Sequence, residues 1–394
     1  MKNVLEWLEA TVAKYPDKPA FSDTESSITF RQVYDIARNT GAYLVEQLGV
    51  DRTPVAVFAG RKMVTPAYFL GVVYAGRPYA PIDASLPDKR IEKILENLCP
   101  RAIVADRESR EHVESIVDEL AKAEGFDRPQ IFIAEDISHF EQVACADSNC
   151  KISESSGDAV TDSENDTDGG VVAGCAGKTD DSALEKLATV RRQMSMTDPL
   201  YIIYTSGSTG NPKGVMTSHL SLMTYINAYC DVMHIEESDV LGNQSPLDYI
   251  AAIRDIYLPL KTGCSTAIIP KEYFMEPNAL FDYMNDKKVS SVGWSVSAFT
   301  ILTSLGAFEE VGLKSLRKIC FSGSVMPCRV LRKWQENLPE AHFVNQYGPT
   351  EATASCTYYS VDHLVEEDEV LPIGKAYDLS LIHISEPTRP ISIS

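Results

Sequence analysis

The stretch Tyr201-Ile-Ile-Tyr-Thr-Ser-Gly-Ser-Thr-Gly-Asn-Pro-Lys-Gly214 decides the reading of this chain. Its first four residues are an apolar run of strand length. The ten that follow, 205–214, hold three glycines, four hydroxyls and one lysine. Glycines let backbone N–H groups turn inward, hydroxyls add donors and a lysine adds charge, which together make a cradle for phosphate oxygens. An ordinary polar turn needs no such density. The spacing departs from both the GxxxxGK[ST] loop and the G-x-S-x-G elbow. The candidate phosphate ligands are therefore Thr205, Ser206, Gly207, Ser208, Thr209, Gly210 and Lys213.

Working toward the N-terminus, short apolar runs alternate with helical patterns. Val4, Leu5, Leu8 and Val12 have helical spacing, with Tyr15-Pro16 beyond the helix end. Residues 27–30 read as a short strand, 33–48 as a helix, Pro54-Val-Ala-Val-Phe58 as a buried strand and 67–75 as another helix. Ala75-Gly-Arg-Pro-Tyr-Ala-Pro-Ile-Asp83 breaks that helix and turns the chain, and 102–105 and 130–134 are further strands. Downstream, residues 268–269, 292–294 and 318–321 continue the alternation. Strands separated by helices imply an α/β fold with parallel sheets and crossover connections.

A second polar constellation lies at Asn345-Gln-Tyr-Gly-Pro-Thr-Glu351. Gly348-Pro349 forces a turn that gathers an aromatic ring, a hydroxyl and a carboxylate. Tyr347 can pack on a purine, Thr350 can bond a phosphate oxygen, and Glu351 offers the oxygen ligand that Mg²⁺ prefers.

Together these segments resemble the adenylate-forming enzyme superfamily. Ile28-Thr-Phe-Arg-Gln-Val33 is similar to its early core motif, residues 75–83 to the second, 204–214 to the signature phosphate loop and 345–351 to the adenine and magnesium motif. Phe321-Ser-Gly-Ser-Val-Met-Pro327 resembles the turn that the family sets against adenine, through Gly323. The form of the second and last motifs resembles the amino-acid-activating branch, the adenylation domains of nonribosomal peptide synthetases and D-alanyl carrier protein ligases.

The resemblance implies a large N-terminal domain, residues 1–378, of two α/β subdomains with a partial β-barrel element. It implies ATP and Mg²⁺ as cofactors. Asn345, Gln346, Tyr347, Gly348, Pro349 and Thr350 would contact nucleotide, with Lys213, Thr350 and Glu351 catalytic and Glu351 the metal ligand. A small carboxylic or amino acid would be activated as acyl-adenylate and passed to the phosphopantetheine thiol of an acyl or peptidyl carrier protein. In the amino-acid branch an Asp holds the substrate ammonium. Aligned on Asp255-Ile-Tyr257, that position is Ile250, so either Asp248 serves from a shifted backbone or the substrate lacks an α-amino group. Arg254 and Ala354 complete the expected acyl pocket, although a local pairing of Arg254 with Asp255 or Asp248 is its commoner role. A CoA ligase for a non-amino acid and a non-catalytic nucleotide-binding protein remain alternatives.

Composition narrows the partners. Among 394 residues, 56 acidic against 36 basic side chains give a formal charge of −20, which disfavours nucleic acid and anionic lipid. No apolar run approaches the roughly 20 residues of a membrane span. Residues 1–14 lack the pattern of a secretory leader, and nine scattered cysteines fit reduced thiols, so a cytoplasmic location is expected. Residues 138–181, with ten acids, two lysines and Cys145, Cys150 and Cys175, read as a disordered acidic insertion without chemistry. Leu379-Ser-Leu-Ile-His-Ile-Ser-Glu-Pro-Thr-Arg389 matches a translated sequencing adapter, so 379–394 is expected to be a non-native tail. The family's ribose-binding segment and lysine-bearing small domain would lie beyond it, and weak turnover is expected of this chain alone.

Overall fold

The computed structural model describes residues 2–123, 125–138, 181–206 and 211–378. Residues 139–180 of the acidic insertion, the loop residues Gly207, Ser208, Thr209 and Gly210, and the adapter-like tail lie outside the described residues, while the insertion's expected ends, Ser138 and Asp181, close the helix Ala134–Ser138 and open Asp181–Gln193.

Four-residue apolar runs become strands because both faces of a parallel sheet are covered. Val55–Phe58 and Ala102–Ala105 are buried at every position. With Gln130–Ile133, Tyr79–Ile82, Pro199–Ser206 and Pro212–Ser218 they form a six-stranded sheet, parallel except for its last strand. A nine-stranded sheet takes the rest. Its parallel core runs through His342–Tyr347, Lys318–Ser322, Ser291–Ser295, Val240–Asn243, Ser265–Ile268 and Pro19–Ser22. Antiparallel strands Thr357–Val361, Lys375–Ala376 and Ser27–Thr29 form its margins. The α/β expectation with two parallel sheets is met.

Helix starts follow local chemistry. Thr29 caps the helix Phe30–Leu48: its hydroxyl accepts from Gln32 N at 3.2 Å, and Gln32 Oε1 accepts from Thr29 N at 2.9 Å. The reciprocal cap starts this helix three residues before the point that apolar spacing alone suggests. A further helix, Asp181–Gln193, buries Leu187 and Val190 against the same core.

The two sheets are tied by polar contacts as well as by shared apolar packing. Arg61, just past Val55–Phe58, donates from Nη2 to Asn243 O at 2.7 Å and to Asn243 Oδ1 at 2.8 Å. Tyr79 and Tyr257 hydroxyls meet at 3.0 Å in the core between them. Arg77, in the turn of residues 75–83, is fully enclosed. It pairs with Asp51 and donates to the carbonyls of Gly49 at 3.1 Å and Thr53 at 3.2 Å. A buried guanidinium is tolerated where a carboxylate and several acceptors surround it. No helix among the described residues is long and apolar enough to cross a membrane.

Candidate active site

The phosphate-loop segment is the connection of a β-hairpin. Pro199–Ser206 pairs antiparallel with Pro212–Ser218, setting Thr205 opposite Lys213 and Ser206 opposite Pro212. Leu200, Tyr201 and Ile203 bury the hairpin base, whereas Ser206 and Lys213 are exposed near its tip. The helix Asp88–Leu98 holds the hairpin from the side: Tyr204 Oη donates to Asn97 Oδ1 at 2.8 Å, and Lys93 Nζ donates to Asn211 Oδ1 at 3.1 Å. Removing one such bond with Tyr204→Phe is expected to cost about 1 kcal/mol and to accelerate hydrogen exchange of the hairpin amides above the rest of the sheet. Unchanged exchange would show that the helix does not anchor the tip.

The second segment is the turn between His342–Tyr347 and Thr357–Val361, whose register pairs Tyr347 with Thr357. The backbone bond Cys356 N to Tyr347 O, 2.9 Å, closes it. Within it Thr350–Ala352 form one 3-10 turn, and Thr353 and Ala354 follow with φ of 56° and 71°. Successive left-handed non-glycine residues store strain of roughly 1–2 kcal/mol each. Tyr347, 53% exposed, projects with Pro349 and Glu351 toward solvent, and Thr350 is half-buried. Gly323, at φ 97°, ends the neighbouring parallel strand, and a Cβ there would meet nothing within 4 Å.

Asn345 and Gln346 face inward. Asn345 Nδ2 donates to Pro372 O at 2.9 Å, and Gln346 Nε2 donates to the Tyr377 hydroxyl at 2.6 Å. Gln346 Oε1 accepts from Ser355 Oγ at 3.3 Å and Arg254 Nη1 at 3.4 Å. Gln346 ties the turn to the core through Ser355, while Asn345 ties the strand to the segment at Pro372.

The residues expected at an acyl pocket separate into two places. Ile250 is buried just ahead of the helix Ala252–Thr262, which carries Arg254. The expected local pairing of Arg254 with Asp255 or Asp248 is not formed. Arg254 Nη2 donates to Gly293 O at 2.7 Å, while Asp255 Oδ2 accepts from Asn243 Nδ2 at 2.8 Å. Consecutive helical residues point to different sides of the helix, so side chains at i and i+1 do not meet. Burial holds the Asp255 carboxyl up at about 6.

Asp248 instead lines a cavity of about 810 Å³ that opens between the sheets, with Arg61, Asp83, Gln244 and Glu272. Burial, reinforced by the neighbouring Asp83, holds the Asp248 carboxyl above its usual range. Lys213, Gly323, Tyr347, Arg254 and Ala354 are not among its lining residues. Arg61 and Gln244 escaped the sequence reading. Their signal was position, because each follows a buried strand at its carboxyl end, where ligands bind in open α/β sheets.

Fold and motif placement define a two-sheet α/β domain whose polar motifs gather at strand ends and one hairpin tip. Residues 8–389 match the AMP-binding enzyme family, and the chain belongs to it. It is 27% identical over 373 residues to the D-alanine–D-alanyl carrier protein ligase of Bacillus cereus strain Q1, covering 94% of this chain and 64% of that protein. The chain thus spans a little under two thirds of the length of the curated relatives it matches. Its fold is similar to the nonribosomal peptide synthetase FmoA3 in the AMPPNP-bound form, with a TM-score of 0.73 and 20% identity over 95% of this chain and 34% of that one. It is also similar to the N-terminal subdomain of Klebsiella oxytoca NpsA in complex with 3-hydroxybenzoyl-AMSN, with a TM-score of 0.70 and 17% identity over 96% and 81% of the two chains.

Proposed function

We propose that this chain is the nucleotide-binding part of an ATP-dependent ligase that activates a carboxylic acid, in the amino-acid branch an amino acid, as its acyl-adenylate. The observation that carries the reading is the pair of motifs: a lysine-bearing hairpin and a strained turn presenting Tyr347, Thr350 and Glu351, in a chain of the AMP-binding family. A carboxylate oxygen attacks the α-phosphorus of ATP, the new C–O–P bond forms, and the bond to the β-phosphate bridging oxygen breaks with its electron pair leaving on pyrophosphate. Little covalent work falls to the protein, so positioning and charge neutralisation dominate. Lys213, with the hairpin-tip amides and hydroxyls, stabilises the phosphates, Thr350 adds a donor and Tyr347 packs on adenine. Glu351 and the Thr350 hydroxyl are hard oxygen donors, and a single carboxylate suits Mg²⁺, which takes its other ligands from water and phosphate. When bound, the metal supplies positive charge to the phosphates.

In the second step a phosphopantetheine thiolate attacks the acyl carbonyl carbon and AMP leaves. The name shared by the relatives joins D-alanine to a carrier protein, which supports a carrier-protein acceptor. Ile250 favours a second reading, a ligase for an acid without an α-amino group, because a buried isoleucine offers an ammonium nothing.

Calorimetric titration of the chain with AMP and with MgATP tests the proposal. AMP is expected to bind, and Glu351→Gln is expected to weaken MgATP about tenfold, the equivalent of one charge-assisted contact. Failure of both nucleotides to bind would end the adenylation reading.

A further inference from the structure

The hairpin that carries Lys213 is reached by a second lysine from another element. The helix Asp88–Leu98 buries Ile91, Ile94, Leu95 and Leu98 in one cluster with Ile202 of the hairpin. Its opposite face exposes Lys89, Lys93 and Asn97, each one helical turn from the next. Lys89 stays on the helix, with Nζ 3.0 Å from Glu92 Oε2. The other two cross to the hairpin: Lys93 Nζ donates to Asn211 Oδ1 at 3.1 Å, and Asn97 Oδ1 accepts from Tyr204 Oη at 2.8 Å.

These contacts fix the side from which Lys93 arrives. Cross-strand partners share a face of a two-stranded ribbon, and successive residues alternate between faces. Tyr204 is opposite Gly214, and Thr205 is opposite Lys213. A Cβ on Gly214 would stand 3.1 Å from Tyr204 Cζ, so the Tyr204 ring lies over Gly214 on the face turned to the helix. Thr205 and Lys213 therefore point from the other face. Lys93 comes in from the helix side at Asn211, two residues before Lys213, and the hairpin has a cation on each face.

Such a pair suits a polyphosphate. The chain's net charge of −20 repels one, so local cations must offset that field. An ammonium has three N–H donors, and Asn211 takes one, which turns the group toward the hairpin connection. The buried face of the helix seats it firmly, so the charge is in position before a ligand arrives.

We propose that Lys93 binds the β- and γ-phosphates of ATP, and the pyrophosphate they become, from the helix side of the hairpin, while Lys213 holds the phosphates from the other face. When the bond between the α-phosphorus and the bridging oxygen breaks, its electron pair leaves on pyrophosphate, and Lys93 offsets the charge gained there. No proton moves. This deepens the adenylation reading and rests on it.

The test is calorimetry on the 394-residue chain with AMP, MgATP and magnesium pyrophosphate. Lys93→Met is expected to weaken MgATP and magnesium pyrophosphate about tenfold, the size of one charge-assisted contact, and to leave AMP within about twofold. Lys93→Arg should keep most of the affinity. Lys89→Met, which removes the same charge one turn away, should leave all three ligands unchanged. Tyr204→Phe, which loosens the same hairpin without removing charge, should weaken AMP and MgATP by equal factors. Added salt should narrow the gap between the parent and Lys93→Met, because exposed charges are screened. Unchanged MgATP affinity in Lys93→Met would overturn the proposal. So would an equal loss for AMP and MgATP, which would make Lys93 a structural brace, or a loss that Lys89→Met reproduces, which would make the effect one of net charge. A parent that binds AMP but gains nothing from the two further phosphates also overturns it and leaves the adenylation reading standing. A parent that binds neither nucleotide ends both.

Discussion

Gly348→Ala is expected to destabilise the chain by about 3 kcal/mol, at the upper end for forcing atoms into packed space, and to lower AMP affinity by more than a hundredfold. A Cβ at position 348 would lie 2.4 Å from Ser355 Cα, 2.7 Å from Ala354 O and 2.8 Å from Cys356 N. All three are backbone atoms, so no side chain can rotate away. The turn has little slack elsewhere. Cys356 N bonds Tyr347 O at 2.9 Å and Ser355 N bonds Thr353 O at 3.0 Å, while Thr353 and Ala354 already occupy left-handed conformations. Relief requires the arm of residues 353–356 to swing outward. That movement drags Ser355 off Gln346 and tilts Tyr347 out of line with the neighbouring strand.

Gly49→Ala is the control. Its φ of 72° disfavours alanine, but a Cβ there would meet nothing within 4 Å, so the cost is the backbone alone, about 1 kcal/mol. Denaturant unfolding and AMP titration of both variants provide the measurement. If Gly348→Ala behaves like Gly49→Ala, the close approach at 348 is not what shapes the turn.

Parts of this architecture were legible in the sequence because each depends on local pattern. Val55–Phe58 and Ala102–Ala105 are continuous apolar runs, and strands buried on both faces must be. The loop between Thr205 and Lys213 announced itself by the density of glycine, hydroxyl and lysine, but the antiparallel return strand Pro212–Ser218 did not. Other features depend on what lies across the fold. The start of Phe30–Leu48 is set by the Thr29–Gln32 cap rather than by apolar spacing. Asp181–Gln193 carries few apolar residues and becomes a helix by seating Leu187 and Val190 on elements far away in sequence. Arg254 illustrates the limit most clearly. Its sequence neighbour Asp255 is the obvious partner, yet helical geometry sends one to Gly293 and the other to Asn243. Asp248 meets Asp83 only because Tyr79–Ile82 ends beside the loop that carries it, a proximity no spacing rule encodes.

Acidification should change stability little through two large effects that oppose each other, and single variants should expose each. His219 is 1% exposed, its Nδ1 accepts from Val4 N at 3.5 Å, and burial holds its pKa down at about 4 against the usual 6.5. Between those values the unfolded chain takes up a proton that the folded chain refuses. Stability therefore falls as pH drops from 6.5 to 4, by roughly 3 kcal/mol. Asp255 has the reverse sign: burial raises its carboxyl from 3.8 to about 6, so the folded chain binds the proton first. Its contribution to stability rises by roughly 3 kcal/mol as pH falls from 6 to 3.8. The two windows nearly coincide. Against a parent whose denaturation midpoint owes little slope to this pair, His219→Gln should grow more stable on acidification from pH 7 to 4. Asp255→Asn, which keeps an oxygen for Asn243 Nδ2, should grow less stable over the same range. Denaturant midpoints at half-unit pH steps decide it. Curves for both variants that run parallel to the parent would mean that neither group changes protonation differently in the two states, and that other titrating groups set the acid response of this fold.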